Sequence, residues 1–140
     1  RFTDWVPGHV HMGTMGWVAL TVTGSIYYVV ARIYGTEIWS ERLANAHFWL
    51  VLVGQIVFSV TMWITGIQQG AMWKATTAEG TLKYTFMEGL AKNYPYWHLR
   101  ALGGAIFIVG MLLFVWNVLM TIRKGRELEA GGRAAAPASA

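Results

Sequence analysis

Residues 99–122 read LRALGGAIFIVGMLLFVWNVLMTI, and Arg100 is the only charged residue among them. A helix rises about 1.5 Å per residue, so this stretch is long enough to cross the roughly 30 Å hydrocarbon layer of a membrane. Two more long apolar stretches precede it, and we predict membrane-spanning helices at about residues 10–34, 43–67 and 99–122. The predicted fold class is therefore all-α, in an integral membrane protein.

The overall composition agrees with a membrane protein. Of 140 residues, 55% are hydrophobic and 13% are charged, whereas about a quarter would be charged in a soluble domain. The formal charge is +4, but the basic residues lie at the ends of the apolar spans, which membrane topology explains better than nucleic-acid binding. There is no cysteine, which excludes disulfides, zinc-thiolate sites, iron–sulfur clusters and covalent c-type heme attachment within this sequence.

The links between the spans indicate an orientation. Three crossings place the first loop and the C-terminal tail on one membrane face, and the tail starts with Arg123, Lys124 and Arg126. This cluster favours a cytoplasmic C-terminus, although other basic residues lie on the opposite face: Lys74, Lys83, Lys92 and Arg100. We expect the amphipathic residues 84–97 to lie along the membrane interface and residues 125–140 to form a disordered tail.

Two histidines, His9 and His11, stand two positions apart at the start of the first span, in WVPGHVHMGTMGW. Successive helical residues are rotated by about 100°, so the two imidazoles point to opposite faces and do not chelate one ion together. An imidazole at membrane depth is costly without a partner, and a heme iron supplies one. The pair therefore predicts two hemes, one on each side of this helix, with Pro7 and Gly8 leaving room for a macrocycle edge. The alternative is a pair of interfacial histidines that face water or lipid headgroups.

Several separated segments resemble a known family: FTDWVPGHVHMGTMGW (residues 2–17), ANAHFWLVLVGQ (44–55), MWITGIQQGAMWKA (62–75) and LRALGGAIFIVGMLLFVWN (99–117). They are similar, in this order, to the last three helices of the catalytic subunit I of C-family, cbb3-type cytochrome c oxidases. The resemblance covers about residues 1–124 and implies that these helices complete a twelve-helix heme-copper oxidase bundle.

In that family the helix with the His-x-His pair binds both hemes. The resemblance implies that His9 is the proximal ligand of the high-spin heme b3 and His11 an axial ligand of the low-spin heme b. Arg100 opens the third span on the same membrane face, where its guanidinium would pair with heme propionates; the alternative is a snorkelling interfacial arginine. Asp4 would join a propionate or water network, or else it is a helix-entry residue.

Other polar residues in the spans have weaker functional interpretations. His47 is interpreted as a structural or interfacial histidine rather than a group for proton uptake. Gln68 and Gln69 would order water or contact a neighbouring subunit on the heme side. Hydroxyl-bearing residues in the first span would form a proton wire, although helix packing explains them equally well: Thr21, Thr23, Ser25, Tyr27 and Tyr28.

The resemblance implies reduction of dioxygen to water with electrons from a c-type cytochrome, coupled to proton translocation across the bacterial inner membrane. Copper B in such enzymes needs further histidine ligands, and neither His47 nor His98 is placed to supply them, so these ligands are expected outside this chain. The sequence begins at Arg1 without an initiator methionine, and we expect a processed chain or a piece of a longer subunit I. Its expected partners are the remaining helices of subunit I, membrane-bound c-type cytochrome subunits and the lipid bilayer.

Two other functions remain open from the residues. The catalytic subunit of a nitric oxide reductase shares the His-x-His helix but carries iron in place of copper. A non-catalytic membrane subunit without a cofactor is the second alternative. A cytochrome b with stacked hemes is less favoured, because its ligands lie more than two turns apart along one helix.

Overall fold

The computed structural model describes residues 2–135, with side chains described up to residue 131. It consists of three long helices, α1 (Trp5–Ile33), α2 (Glu41–Lys74) and α3 (Phe86–Ala135). Each is long enough and apolar enough to cross a membrane. Helices α2 and α3 share the most extensive contact, and α1 packs mainly on α2. The prediction of an all-helical chain with three spans is confirmed.

The helices extend further than the apolar stretches suggested. Residues 84–97, expected along the interface, instead contain the first turns of α3, which pack beside the end of α2. There, a Cβ on Gly89 would lie 3.9 Å from Met72 Cε, and Asn93 is almost fully buried. The pairing with α2 buries side chains that a helix lying alone at the interface would leave exposed, and this favours the continuous helix.

The expected disordered tail also differs from the structure. Helix α3 continues without a break through Ala135, and the residues after Ala135 lie outside the described part of the chain. Arginine, glutamate, leucine and alanine, which dominate this segment, are good helix formers. Arg123 Nε also lies 2.9 Å from Glu127 Oε1, an i, i+4 ion pair of the kind that supports an exposed helix.

Glycines allow α2 and α3 to approach closely. A Cβ on Gly54 would lie 2.6 Å from the backbone nitrogen of Phe107, and one on Gly103 would lie 2.8 Å from that of Phe58. A Cβ on Gly110 would lie 2.8 Å from Val51 Cγ2 and 3.1 Å from the Val51 backbone nitrogen. Small residues at these positions let the two backbones pack against each other, as is common between helices in lipid.

The first loop is tied to α3 by polar contacts. The backbone nitrogen of Ser40 donates to Asn117 Oδ1 at 3.0 Å, and Asn117 Nδ2 donates to the Ser40 carbonyl at 2.9 Å. The backbone nitrogen of Trp39 donates to Thr121 Oγ1 at 3.0 Å. Ser40 also caps α2, because its hydroxyl accepts from the backbone nitrogen of Leu43. The backbone groups at this loop are thus satisfied from within the bundle, as a loop near lipid requires.

The distribution of side chains is that of a membrane protein. Most residues buried in the helix contacts are small or polar, including Gln55, Ser59, Thr65 and Asn117. Large apolar side chains are exposed along all three helices, among them Trp17, Val22, Ile33, Trp49, Ile67, Leu112 and Trp116. An exposed apolar surface of this extent needs lipid or further protein to cover it.

Candidate functional site

The first turns of α1 place His9 and His11 on either side of a helix contact. Gly8 is buried, and a Cβ there would lie 2.9 Å from Met62 Cβ and 3.0 Å from Trp63 Cδ1. At about 100° per residue, His9 lies on one side of this contact and His11 on the other. The small size of Gly8 therefore allows α1 to pack against α2. The sequence-based prediction that Gly8 leaves room for the edge of a heme macrocycle is not what the structure shows.

His11 is held in a defined orientation. Its Nδ1 lies 2.7 Å from the carbonyl oxygen of Pro7, one turn earlier. A carbonyl only accepts, so Nδ1 carries the hydrogen and Nε2 is left as the basic nitrogen of the neutral ring. The ring also packs against Phe58 of α2, with centroids 5.2 Å apart. A backbone carbonyl bonded to one nitrogen of a metal-binding histidine is the common way to fix its tautomer and direction.

His9 lies on an open surface. Its ring is exposed and stacks on Trp5 one turn earlier, with centroids 5.5 Å apart and planes inclined by only 3°. One turn later, a Cβ on Gly13 would meet no described atom within 4 Å. This side of α1 therefore offers an imidazole between a flat aromatic ring and a glycine, a surface that a planar macrocycle can approach.

Gln55 supports the helix at His11. Its Nε2 donates to the His11 carbonyl at 3.1 Å and to Ser59 Oγ at 2.7 Å, and its side chain is 2% exposed. Directly after His11, residues Met12–Val18 form a π-helical segment, which is wider than an α-helix and has i to i+5 hydrogen bonds. Such segments frequently occur at functional sites, and here Gln55 of α2 bonds the backbone at the point where the pitch changes.

Asp4 connects the beginning of α1 to both other helices. Its Oδ2 accepts from Thr65 Oγ1 of α2 at 3.2 Å and from Trp97 Nε1 of α3 at 3.4 Å. Its backbone nitrogen donates to Gln69 Oε1 at 2.8 Å. Through these contacts, Asp4 and Gln69 hold the start of α1 against the other helices, at the end of the bundle where His9 and His11 lie.

Arg100 lies on the same flank as His11. It precedes Gly104 by one helical turn, and a Cβ on Gly104 would lie 3.8 Å from the Phe58 ring that also contacts His11. Arg100 is half-buried and has neither an ion pair nor a hydrogen bond among the described side chains of residues 2–131. The unpaired guanidinium is thus available to an anionic group on the flank that presents His11.

The other histidines are not brought to this place. His47 is buried near the opposite end of the bundle, between Tyr27 and Phe114, and His98 is exposed on α3. Within the described part of the chain, no three histidine, aspartate or glutamate side chains gather as a metal site would require. His9 and His11 lie on different sides of α1, an arrangement compatible with one axial ligand for each of two hemes.

Sequence reasoning missed the supporting residues. Gln55 and Trp97 stand among apolar or aromatic neighbours in the sequence, and nothing in their spacing reveals His11 or Asp4 as partners. A signal for Gln55 was present, because an amide in the middle of an apolar span is costly in lipid and marks a buried contact. Trp97 ends the amphipathic segment of residues 84–97, and nothing in that segment indicates its bond to a carboxylate.

The comparisons with known proteins agree with this arrangement. The family model for cytochrome c and quinol oxidase polypeptide I matches residues 1–106. A cytochrome c oxidase subunit 1 homolog from Agrobacterium tumefaciens is 41% identical over 138 residues, which cover 98% of this chain and 26% of that protein. The Cbb3-type cytochrome c oxidase subunit CcoN1 of Stutzerimonas stutzeri is 42% identical over 130 residues, 92% of this chain and 27% of the relative. A cytochrome c oxidase subunit 1 from Thermus thermophilus is 26% identical over 131 residues.

Three long apolar helices define an all-α membrane protein, and these matches identify its family. The chain belongs to the family of cytochrome c and quinol oxidase polypeptide I, whose members are oxidoreductases of respiratory electron transport. The resemblance to cbb3-type subunit I is confirmed. The chain spans about a quarter of the length of these curated relatives.

Proposed function

We propose that this chain is the part of a cbb3-type cytochrome c oxidase catalytic subunit that carries the heme-ligating helix. In this proposal His9 is the proximal ligand of the high-spin heme b3 and His11 is an axial ligand of the low-spin heme b. When bound, the hemes supply the electron transfer and oxygen chemistry by which such an enzyme reduces dioxygen to water, with electrons from cytochrome c and with proton translocation.

The observation that carries the proposal is the position of the two imidazoles on one helix. They flank the buried Gly8 contact, and the Nδ1 of His11 is bonded to the Pro7 carbonyl, so that Nε2 keeps its lone pair free for a metal. A single helix therefore holds two ligand nitrogens apart, one on each side. His11 is rigid, because Gln55 bonds its backbone and Phe58 packs on its ring.

Two further residues have roles in the proposal. Arg100 pairs with a heme propionate, because it has a half-buried guanidinium without an anionic partner on the His11 flank. Asp4 anchors the start of α1 through Thr65 and Trp97, which favours its interpretation as a helix-entry residue over contact with a propionate. Copper B belongs to the complex in this proposal, with its ligands outside this chain.

The proposed setting is a bacterial inner membrane with the C-terminus on the cytoplasmic side. The basic residues Arg123, Lys124 and Arg126 follow the apolar part of α3 and support that orientation. The exposed apolar sides of the helices would contact the remaining helices of subunit I and lipid. Membrane-bound c-type cytochrome subunits would deliver electrons on the face where His9 and His11 lie.

The test uses the assembled oxidase complex with single substitutions. Reduced-minus-oxidised spectra, with and without carbon monoxide, are recorded for His9→Ala and His11→Ala. We expect His9→Ala to abolish the carbon-monoxide-reactive high-spin signal and His11→Ala to abolish the low-spin b band. His98→Ala is the matched control, because this histidine is exposed and belongs to another helix, α3, and its spectra should equal those of the wild type.

Other results would change the proposal in defined ways. The reverse pattern of losses would exchange the two heme assignments. If both variants assemble with wild-type spectra, neither histidine binds a heme and the proposal is wrong.

A further inference from the structure

A second group of buried polar atoms lies far from the histidine pair. His47 of α2 is 3% exposed, and its ring contacts Tyr27 of α1 and Phe114 of α3, with centroid distances of 5.8 and 5.1 Å. Tyr27 follows His9 by 18 residues, which corresponds to about 27 Å along α1. The group therefore lies toward the first loop, outside the proposed heme site.

Two polar atoms in this group lack a partner. The hydroxyl of Tyr27 and the Nε2 of His47 are both buried and have no hydrogen bond to any described residue. Asn117 lies near the Tyr27 hydroxyl but not in hydrogen-bonding geometry. Its amide oxygen and nitrogen are bonded instead to the Ser40 backbone at 3.0 and 2.9 Å. Leaving one such atom unpaired in a membrane interior is costly, and here two belong to rings of adjacent helices whose centroids lie 5.8 Å apart.

A bridging water would satisfy both atoms. A phenolic hydroxyl donates, and an imidazole nitrogen that carries no hydrogen accepts, so one water can accept from the first and donate to the second. Buried waters occupy places of this kind, where at least two polar groups converge. The two rings are in contact, inclined by 66°, and their polar atoms make no direct bond to each other.

A path for this water begins at the first loop. A cleft of about 700 Å³ is lined by residues of α1 and of the first loop. Tyr27 is the lining residue that lies furthest from the loop, and the charged residues of the cleft are Arg32 and Glu37. The cleft therefore extends from charged residues near the first loop to Tyr27, whose ring contacts the buried His47.

We propose that Tyr27 and His47 form an internal water-binding site, in which the water accepts a hydrogen bond from the Tyr27 hydroxyl and donates one to His47 Nε2. The water exchanges with the solution on the first-loop side through the cleft. This site does not depend on the assignment of the hemes. One consequence rests on the proposed function: in a proton-translocating enzyme, a histidine bonded to water at the first-loop end of the bundle is a site that can receive a proton.

The first test is the sign of a stability change in the assembled complex. If water bridges the two groups, Tyr27→Phe removes a partner of that water and lowers the Tm, by roughly 2 °C. If the site is dry, the same substitution removes an unpaired buried hydroxyl, so the Tm stays constant or rises. Tyr28→Phe is the matched control, because the neighbouring Tyr28 side chain is 65% exposed and should leave the Tm unchanged.

The second test is the double variant Tyr27→Phe with His47→Phe. It removes both polar groups, so a water bridge predicts a Tm above the value expected from adding the two single changes. Additive changes would overturn the proposal. If His47→Phe prevents assembly, an electron cryomicroscopy map of the wild-type complex that resolves waters decides instead. Density between Tyr27 Oη and His47 Nε2 supports the site, and an empty space or a direct bond of the hydroxyl to Asn117 contradicts it.

The outcome for this site is distinct from the outcome for the proposed function. The Tyr27 and His47 variants should keep both heme signals, because the site lies about 27 Å along α1 from His9. A complex without heme signals from His9 and His11 would overturn the oxidase proposal, while the sign of the Tm change for Tyr27→Phe would still decide the water site.

Discussion

At the scale of single residues, most of the chemistry of this chain depends on polar side chains that bond across helices. Asp4 accepts hydrogen bonds from Thr65 and Trp97, and Gln55 donates to the His11 carbonyl. In a low-dielectric interior such bonds are strong, and an unpaired group is correspondingly costly. Substitutions at these residues therefore separate a supporting role from direct contact with a heme.

Asp4→Asn and Asp4→Leu test whether Asp4 anchors the helix. The asparagine keeps an oxygen for Trp97 Nε1 and Thr65 Oγ1, so we expect its complex to have nearly wild-type thermal stability. The leucine leaves Trp97 Nε1 without its acceptor, which should cost about 1–3 kcal/mol. Redox titration of the hemes is the second measurement. If Asp4→Asn shifts a heme midpoint potential strongly, the carboxylate acts on the heme and the anchoring role is wrong.

Gln55→Leu tests the support of His11. The leucine removes the bonds to the His11 carbonyl and to Ser59, so we expect a loss of about 1–3 kcal/mol in stability and a shifted low-spin heme band. The carbon-monoxide-reactive signal of the other heme should stay unchanged. Ser59→Ala is the control, because it removes only the bond between Ser59 and Gln55. Equal spectral shifts in both variants would show that Gln55 has no particular effect on His11.

At the scale of elements, the most extensive contact is that of α2 on α3. Phe58 of α2 lies between His11 and the glycine pair Gly103 and Gly104 of α3. A displacement of a few tenths of an ångström in the contact between α2 and α3 would therefore also move the His11 ring. The two glycines differ sharply in the space around them, which provides a matched comparison.

We expect Gly103→Ala to destabilise the complex and Gly104→Ala to be tolerated. A Cβ on Gly103 would lie 2.8 Å from the Phe58 backbone nitrogen, whereas one on Gly104 would lie 3.8 Å from the Phe58 ring. The first substitution must push two backbones apart, which costs about 1–3 kcal/mol. Thermal unfolding of the two complexes measures the difference. Equal Tm values would mean that α2 and α3 are not in close contact at this point.

At the scale of the whole molecule, the chain presents a large apolar surface around a thin polar interior. The side chains exposed on α1 are mostly apolar, including Trp17, Val18, Val22 and Val29. Lipid and further helices must cover them, which agrees with a chain that spans about a quarter of its relatives' length. The two loops then lie on opposite faces of the membrane, since α2 separates them.

Labelling of introduced cysteines tests this topology, because the chain contains no cysteine of its own. Glu37 in the first loop and Glu79 in the second are both exposed. We expect Glu37→Cys to react with a membrane-impermeant maleimide only from the cytoplasmic side and Glu79→Cys only from the opposite side. The unsubstituted complex gives the background. Labelling of both from one side would contradict three crossings, and the reverse pattern would place the C-terminus outside.

Part of the architecture was visible in the sequence, and part of it was not. The apolar spans predicted three helices, but the continuation of α3 before residue 99 and after residue 122 was missed. Hydropathy identifies the residues that prefer lipid. The ends of a helix depend instead on whether its backbone hydrogen bonds continue and on the elements packed beside it. Residues 84–97 look amphipathic alone, and only the presence of α2 beside them buries Asn93 and makes them part of a long antiparallel pair.

By itself, the sequence determined the class of protein and the opposed directions of His9 and His11, because the length of an apolar stretch and the rotation per residue are local properties of a helix. The tertiary structure decided which residues support those histidines, through Gln55, Phe58 and the Asp4 contacts. It also brought Tyr27 together with His47, from different helices. These contacts join residues that are distant in the chain. They depend on how the glycine-lined helices pack against each other, and no local sequence pattern encodes that packing.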